Sequence, residues 1–521
     1  MNRLFYLQLH PIRRDMKKAF RKIFMVISAI LLMVVLVVKF QIRDRHPGYK
    51  LDLKISENTP GQIRAGFAAI SITPEIVDTW NDVDGNARYE PKKGDTFNDK
   101  NGNGKFDTFW LAGFQNRRAA NGVHDSIWAR TVIIDDGSTR IAMVSLDAIG
   151  FFHDQVIEVR KRLPKSLGID YCMIAATHVH ETPDLMGIWG PSWFRSGVNK
   201  DYLEWVINQT VKSVESAVLD LEPVSLYFSM NEDDALPLVT DTRKPIVHDP
   251  GIYIIQAIRE DGSTKGTLVS WANHPETLWN KNLLITSDFP HFFRKGIEEA
   301  TGGICVYFIG AIGGLITTHP SVPIIHPGTG KEILKPGFDK AEAQGMILAG
   351  IALNTMQNST DSITRVAIGL RAKTFTLPFK NMLFRLAAAI GVLDRGMTGW
   401  WKVRTEIAAF TIGPASFLTI PGEIYPELVN GGIESPEGRD FKISPVEVPP
   451  LRYLMPGKFK FVIGMANDEL GYFIPKSQWD NKAPWLYNAD KETYGEINSL
   501  GPETAPLIHR HANDIISWIM N

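Results

Sequence analysis

Between Trp128 and Asn354 the hydrophobic period switches repeatedly between two and about 3.6 residues, and this alternation restricts the chain to an α/β fold. WARTVIIDD and RIAMVSLDAIGF read as two strands joined by a GST turn, QVIEVRKRLPKSL as an amphipathic helix, and the apolar start of YCMIAATHVHETPD (Tyr171–Asp184) as a buried strand. Asp201–Leu219 is a further amphipathic helix. IYIIQAIRED and TLVSWANHPETL are strands, TSDFPHFF opens a helix, GICVYFIGAIGG is a strand running into a Gly-rich turn, and Ala341–Asn354 is helical. That turn matches neither GxGxxG nor a Walker loop. Later, AAFTIGPASFLTIPGEIYPEL reads as strand, turn, strand; FKFVIGMANDELGYFIP repeats that logic; and the C-terminus is a helix. A length of 521 residues would accommodate two or three small domains. With no internal repeat, a single large α/β domain over 63–521, its mixed sheets flanked by helices, is the more economical reading.

The N-terminus adds a second constraint. Residues 1–22 are basic (Arg3, Arg13, Arg14, Lys17, Lys18, Arg21 and Lys22 against Asp15), and Ile23–Val38 is an uncharged apolar run. A transmembrane signal-anchor over 23–40 follows, its basic segment 1–22 cytoplasmic. Residues 41–62 are expected to be a polar tether. The protein is then single-pass, with its catalytic domain periplasmic or extracellular. The alternative is a cleaved signal peptide, but no clear small-x-small site follows the run. A net charge of −1 gives no global field for nucleic acid. Cys172 and Cys305 sit in apolar runs and read as buried thiols, a single bridge remaining open. The apolar, aromatic insertion 379–403, interrupted by Arg385 and Asp394, is a core helix, a lid or an interfacial segment that meets lipid.

Polar residues at strand ends carry the chemistry. His178 and His180 are one residue apart, and on a strand such side chains share a face, so both imidazoles point to one cleft or, more simply, to solvent. His274 ends ANHPET, with Asp288 and His291 beyond it. Asp147 closes a strand as a supporting carboxylate or a strand-end cap. Glu423 and Tyr472 stand at further ends, Tyr472 with Asn467 in the same stretch. His178, His274, Glu423 and Tyr472 are zinc-type ligands, although their spacing alone does not link them. In DKNGNGKFD, Asp99, Asn101, Asn103 and Asp107 occupy positions 1, 3, 5 and 9 of a calcium-type loop with Gly104 at its turn, but without the bidentate Glu of an EF-hand. A structural Ca²⁺ or a solvated Asx/Gly turn is expected there. Asp82, Asp84 and Asn86 form a shorter cluster nearby.

These segments resemble, in order over roughly residues 62–520, those of the neutral ceramidases, the non-lysosomal N-acylsphingosine amidohydrolases. ATHVHETPD is similar to the family's THTHSGPGG, WANHPET to its strand ending in a zinc histidine, LTIPGEIYPEL to its PGE segment, IGMANDELGYFIP to GxANxYxxY, and SLGPETAP to its closing pattern. The resemblance implies one catalytic Zn²⁺ held by His178, His274, Glu423 and Tyr472. It also implies that His180 contacts the substrate carbonyl or developing oxyanion, and that Arg243, in TRKP, grips a polar head group or a carboxylate. The implied activity is zinc-dependent hydrolysis of an amide, an N-acyl lipid or a related compound, by metal-activated water. Three departures stand out. The serine-bearing GDxSPN appears as GGLITTHP, with Thr317 and Thr318 the nearest hydroxyls; SGPGG becomes ETPDL, which sets Glu181 and Asp184 at the mouth; and the chain ends where the family adds a β-sandwich. A catalytically inactive lipid- or glycan-binding protein, and an ester, peptide or phosphoester hydrolase on the same scaffold, stay open.

Overall fold

The apolar run Ile23–Val38 lies within one 40-residue helix, α1 (Asn2–Gln41), whose side chains from Met16 to Gln41 are scarcely buried by the rest of the chain. The computed structural model describes residues 2–56 and 59–520, with side chains from residue 16 onward; the side chains of Arg3, Arg13, Arg14 and Asp15 therefore lie outside the described ones.

Most of the expected tether is instead built into the domain. Ile42 and His46 are buried, and β1 (Asp52–Ser56) pairs antiparallel with Gly369–Pro378. The polar residues that suggested a linker have partners far along the chain. Asp44 meets Arg404 at 2.6 Å, Arg45 meets Asp394 at 2.5 Å, and His46 Nε2 lies 2.9 Å from the carbonyl of Asp154. Those partners are between 108 and 360 residues away, so local composition could not announce them.

Three five-stranded sheets follow a single plan. The first contains β2 (Arg64–Ser71), β3 (Trp128–Asp135), β4 (Arg140–Leu146) and β5 (Tyr171–Ala176), in the order β5-β4-β3-β2 with Glu222–Pro223 at the edge. The second contains β6 (Ser225–Asn231), β7 (Ile252–Ile258), β8 (Thr264–Trp271) and β9 (Ile304–Ile309), in the order β9-β8-β7-β6 with Asp361–Ile363. The third joins β1 to β10 (Gly369–Pro378), β11 (Lys402–Ile412), β12 (Ala415–Thr419) and β14 (Phe459–Ile463) in that order. Between β12 and β14 in sequence lies the two-residue β13 (Glu423–Ile424), which pairs with β15 (Tyr472–Phe473). Each large sheet is antiparallel except for one parallel pair at its edge: β4 with β5, β8 with β9, and β12 with β14. This arrangement bears out the expected mixed α/β fold.

Period-2 alternation sorts the side chains of each strand between two layers. Phe67, Met143 and Met173 of the first sheet, Phe228, Leu268 and Phe308 of the second, and Phe410, Phe417 and Phe461 of the third share one central core. Phe417 is stacked between Phe410 and Phe461 at 4.6 and 4.5 Å. Burying one such ring is worth about 1.5–3 kcal/mol. The opposite faces are covered by helices. α3 (Lys200–Leu219) packs on the first sheet, and α4 (Phe289–Thr301) with α5 (Phe338–Gln357) on the second. The third is covered by α7 (Thr504–Met520), while α2 (His153–Arg162) lies between the first and third. The insertion at 379–403 supplies α6 (Met382–Ala389), started by Asn381, whose side chain accepts from the N–H groups of Leu383 and Phe384. Cys172 and Cys305 are buried free thiols, both pushed up to about 12 by burial.

Candidate metal centre and its cavity

The carboxyl ends of the three parallel pairs converge. His178 comes two residues after β5, His274 three after β8 and Glu423 four after β12. The pairing of β13 with β15 sets Glu423 directly beside Tyr472. Every sheet thus contributes to one buried cluster, at the strand ends where α/β proteins place ligands.

The two histidines of the HxH motif meet for a reason other than strand alternation. β5 ends at Ala176, and His178 has left-handed backbone, φ 60°. That conformation is uncommon for a non-glycine residue and marks a constrained position. It turns the chain so that the ring centroids of His178 and His180 lie 5.1 Å apart, with His274 5.0 Å from His178 and 5.8 Å from His180. Ligand atoms of the three imidazoles all fall within 4.8 Å of one another, a group that could hold a metal ion.

His178 Nδ1 donates to the carbonyl of Ile149 at 2.6 Å, and His274 Nδ1 to that of Ile316 at 2.8 Å. A donating Nδ1 fixes the tautomer and leaves Nε2 free, as in metal-bound imidazoles. Both Nε2 atoms face Glu423 Oε2, at 3.7 Å from His178 and 3.0 Å from His274. The Tyr472 hydroxyl donates to the same carboxylate. Neither ring nitrogen of His180 makes a hydrogen bond among the described residues, although Nδ1 lies 3.2 Å from Glu276 Oε2. Burial pushes His178 down to about 4 and His180 well below the usual histidine range, so both are neutral at pH 7. Burial also opposes charge on His274 and Glu423. Their mutual contact prevails, raising the histidine and lowering the carboxyl. Three imidazoles, one carboxylate and one phenol make a donor set that fits a divalent ion of zinc type.

The cluster separates two connected chambers. A cavity of about 710 Å³ is lined by Arg88, Asn116, Arg117, His274, Glu276 and Thr317 among others. A pouch of about 80 Å³ is lined chiefly by apolar groups, including Ile149, Phe152, Ile188, Phe379, Phe384 and Leu393. Gly113, His180, Tyr472 and Tyr494 line both. The large cavity also has Phe114, Trp193, Trp279 and Leu315 on its wall, so it is amphipathic, whereas the pouch is predominantly apolar.

Several sequence expectations change here. Thr317 faces the large cavity, whereas Thr318 is occupied elsewhere, accepting from Asn273 Nδ2 and donating to the carbonyl of Leu238. Glu181 and Asp184 are fully buried and not at the mouth. Glu181 lies 3.5 Å from Arg118 and accepts from Asn282, and Asp184 accepts the backbone N–H groups of Met186, Gly187 and Trp189. Arg243 lines neither chamber. Its guanidinium is spent on Glu496 by two 2.8 Å contacts, on the Tyr425 hydroxyl and on the Gln478 carbonyl. Asp147 pairs with Arg294 through two hydrogen bonds and accepts from Trp128 N and Ser287 Oγ, which makes it a strand-end anchor. Asn467 bonds Ile174 N, Tyr171 and Arg160 away from the cluster. Asp288 caps α4, and His291 lies 3.5 Å from Asp125.

Two residues escaped the sequence reading. Glu276 follows His274 by two and could have been found from that proximity. Gly113 has φ +100°, and a Cβ there would meet the His180 ring at 2.5–2.7 Å, a closeness no local pattern announces. In the remote calcium-type loop Asp99 accepts from Asn103 N and Gly104 N, while both Asn101 and Asn103 amides donate to Asp107. The loop is exposed, and Asp78 ties its two ends to the domain by accepting from Lys100 N and Asp107 N.

No protein-family model matches the chain. Among solved structures the chain is similar to neutral ceramidase from Pseudomonas aeruginosa, with TM-score 0.62 and 16% identity, covering 88% of this chain and 74% of that one. It is similar also to a ceramidase complexed with C2, with TM-score 0.61 and 16% identity, covering 88% and 75%. At that identity the likeness is one of fold, and it agrees with the resemblance carried by the five sequence segments.

Proposed function

We propose that the protein is a membrane-anchored, zinc-dependent amidohydrolase that cleaves the amide bond of an N-acyl lipid or a related compound. The observation that carries this reading is the cluster itself: three imidazoles, Glu423 and Tyr472, set between a large amphipathic cavity that carries Arg88, Arg117 and Glu276 and a small apolar pouch. The similarity to ceramidase structures supports it. His178, His274, Glu423 and Tyr472 would hold the ion, which when bound supplies Lewis acidity and lowers the pKa of water.

The chain's own groups account for the rest. An acyl chain lies in the pouch against Phe152, Phe379 and Phe384, and the polar part of the substrate occupies the large cavity, so the scissile amide is held at the boundary where His180 stands. His180 stabilises charge developing on the carbonyl oxygen. Glu276, 3.2 Å from His180 Nδ1, accepts or returns a proton at that ring, and the Thr317 hydroxyl offers a polar contact on the same wall. Arg243 acts only by bracing Tyr425 and Glu496. α1 serves as an uncleaved anchor with the domain outside the cytoplasm. The Asp99–Asp107 loop holds a structural Ca²⁺.

The test is elemental analysis of the full-length protein together with fatty-acid release from a panel of N-acyl amides, ceramide included. About one zinc per chain with turnover is the expected result. Absence of zinc, or zinc with no hydrolysis of any panel member, would refute the reading.

A further inference from the structure

α6 is apolar on both faces except for Arg385, whose guanidinium reaches back to the Phe379 carbonyl and lies over the Trp401 ring. Ala388 and Phe384 pack inward, into the same cluster as Val38 of α1, but Met382, Leu383, Leu386 and Ile390 on the other side are 70, 64, 54 and 42% exposed. An apolar helix face is normally packed against another element, and this outer face lacks such a partner among the described residues.

Its position is set by α1. The carbonyl of Ile42 accepts from Met397 N at 3.0 Å, Gly391 lies against Gln41, and Asp394 is paired with Arg45. The domain therefore begins where α1 ends, with no slack, and α6 packs against Val38 at the level of the helix's last turns. Phe40, 63% exposed, and Trp400, 50% exposed, line one crevice between α1 and the 397–400 turn. Lys39, Arg43, Lys380 and Lys402 are exposed around this face, as cations that reach for the water side of a membrane boundary are. The apolar run Ile23–Val38 rises about 24 Å at 1.5 Å per residue, about 6 Å less than a hydrocarbon core about 30 Å thick. A second apolar surface beside its end makes up the difference.

We propose that the outer face of α6, with Phe40 and Trp400, is embedded in the outer leaflet of the bilayer that α1 spans, and that an acyl chain passes from that leaflet beneath α6 into the apolar pouch. Phe384 belongs to both α6 and the pouch wall, next to Phe379 and Leu393, and so stands at the passage. The embedding rests on α1 as an uncleaved span, and the passage rests on the amidase reading above.

Depth is measured on the full-length chain in phosphatidylcholine vesicles, with an environment-sensitive fluorophore on Leu386→Cys; Cys172 and Cys305 are buried and stay unlabelled. Leu219→Cys, 87% exposed at the end of α3, is the control site. Nitroxide-bearing acyl chains are expected to quench the Leu386 probe at least twofold more than the control, and aqueous iodide to quench it less. Equal iodide quenching at both sites overturns the embedding. A probe shielded from both quenchers also overturns it and places a second copy of the chain on the face. For the passage, Leu383→Glu with Leu386→Glu is expected to lower kcat/KM at least tenfold for a long-chain amide held in vesicles while leaving a short, water-soluble amide unaffected. Equal effects on both substrates overturn it. Failure of the parent protein to hydrolyse any amide would defeat the amidase reading while the depth measurement, which needs no catalysis, still decides the embedding.

Discussion

Gly113→Ala is the substitution that interrogates the site most directly. A Cβ at Gly113 would lie 2.5 Å from His180 Cγ, 2.6 Å from Cβ and 2.7 Å from Nδ1. Ordinary carbon contacts begin near 3.5 Å, so the ring or the 113 backbone must move by about 1 Å. The two backbones cannot easily separate, because Arg118 clamps the carbonyls of Ala112 and His180 together, so the displacement falls on the ring. Overpacking of this kind costs about 1–3 kcal/mol, and holding alanine at φ +100° costs about 1–3 kcal/mol more. In the parent, the substitution should destabilise by about 2–6 kcal/mol. In a His180→Gly background, which removes the residue 180 Cβ as well as the ring, only the backbone strain, about 1–3 kcal/mol, should be left. Urea unfolding of the four proteins of this cycle, in the same detergent, gives a coupling of about 1–3 kcal/mol. Costs that agree within about 0.5 kcal/mol in both backgrounds would refute the contact. If His180 acts on substrate, a 1 Å displacement should also lower turnover by about 10²-fold.

Other perturbations separate ligands from supports. His178→Ala should remove most bound zinc and abolish hydrolysis while leaving circular dichroism largely intact; retained metal and activity would sink its assignment. Arg243→Met strands the Glu496 carboxylate, 1% exposed, and should destabilise by about 3–5 kcal/mol. Relief by adding Glu496→Gln would confirm a bracing role, whereas a raised KM at unchanged stability would return Arg243 to the substrate. Glu406 accepts two hydrogen bonds from Arg160 at 2.7 and 2.8 Å and one from Tyr171. Burial raises its pKa, but Arg160 outweighs burial and holds it below the usual value. Its contribution is therefore present above the unfolded value of about 4.3 and lost as pH falls through the lower folded one. The stability gap between parent and Glu406→Gln, followed by urea unfolding from pH 7 to 3, should shrink on acidification; a constant gap would contradict this. Calcium should raise the melting temperature, and Asp99→Ala with Asp107→Ala should remove the gain; no calcium effect in the parent would leave a plain turn.

The elements that depend on local pattern were legible in the sequence. β5, with its uninterrupted YCMIAA run, and α3, with its helical stripe, are where periodicity places them. His178, His274, Glu423 and Tyr472 were found as strand-end polar residues and through resemblance, and the fold brings them together. What was not legible depends on partners distant in sequence. Glu181 and Asp184 look like mouth acids until Arg118, Asn282 and three backbone N–H groups bury them. Arg243 looks like a substrate clamp until Glu496, more than 250 residues later, occupies it. Residues 41–62 look like a tether because the strand that pairs with β1 begins at Gly369. Left-handed backbone at His178 has no compositional signal at all, since the residue that adopts it is not a glycine.

The sheet plan explains why the cluster sits where it does. An antiparallel neighbour returns the chain to the opposite end of a sheet, whereas the parallel pairs β4–β5, β8–β9 and β12–β14 each send two consecutive carboxyl ends in one direction. With the inner faces of all three sheets packed into one core, those ends are brought to one place without any loop having to reach far. The clustered side chains then hang from stiff strands, and the short segments between strand end and side chain carry the strain, as at His178 and at Asn467 with φ 64°. An ion bound there would tie three sheets together and not merely fill a hole. Because its binding free energy would add to the folded state alone, loading the site should stiffen the junction of the sheets.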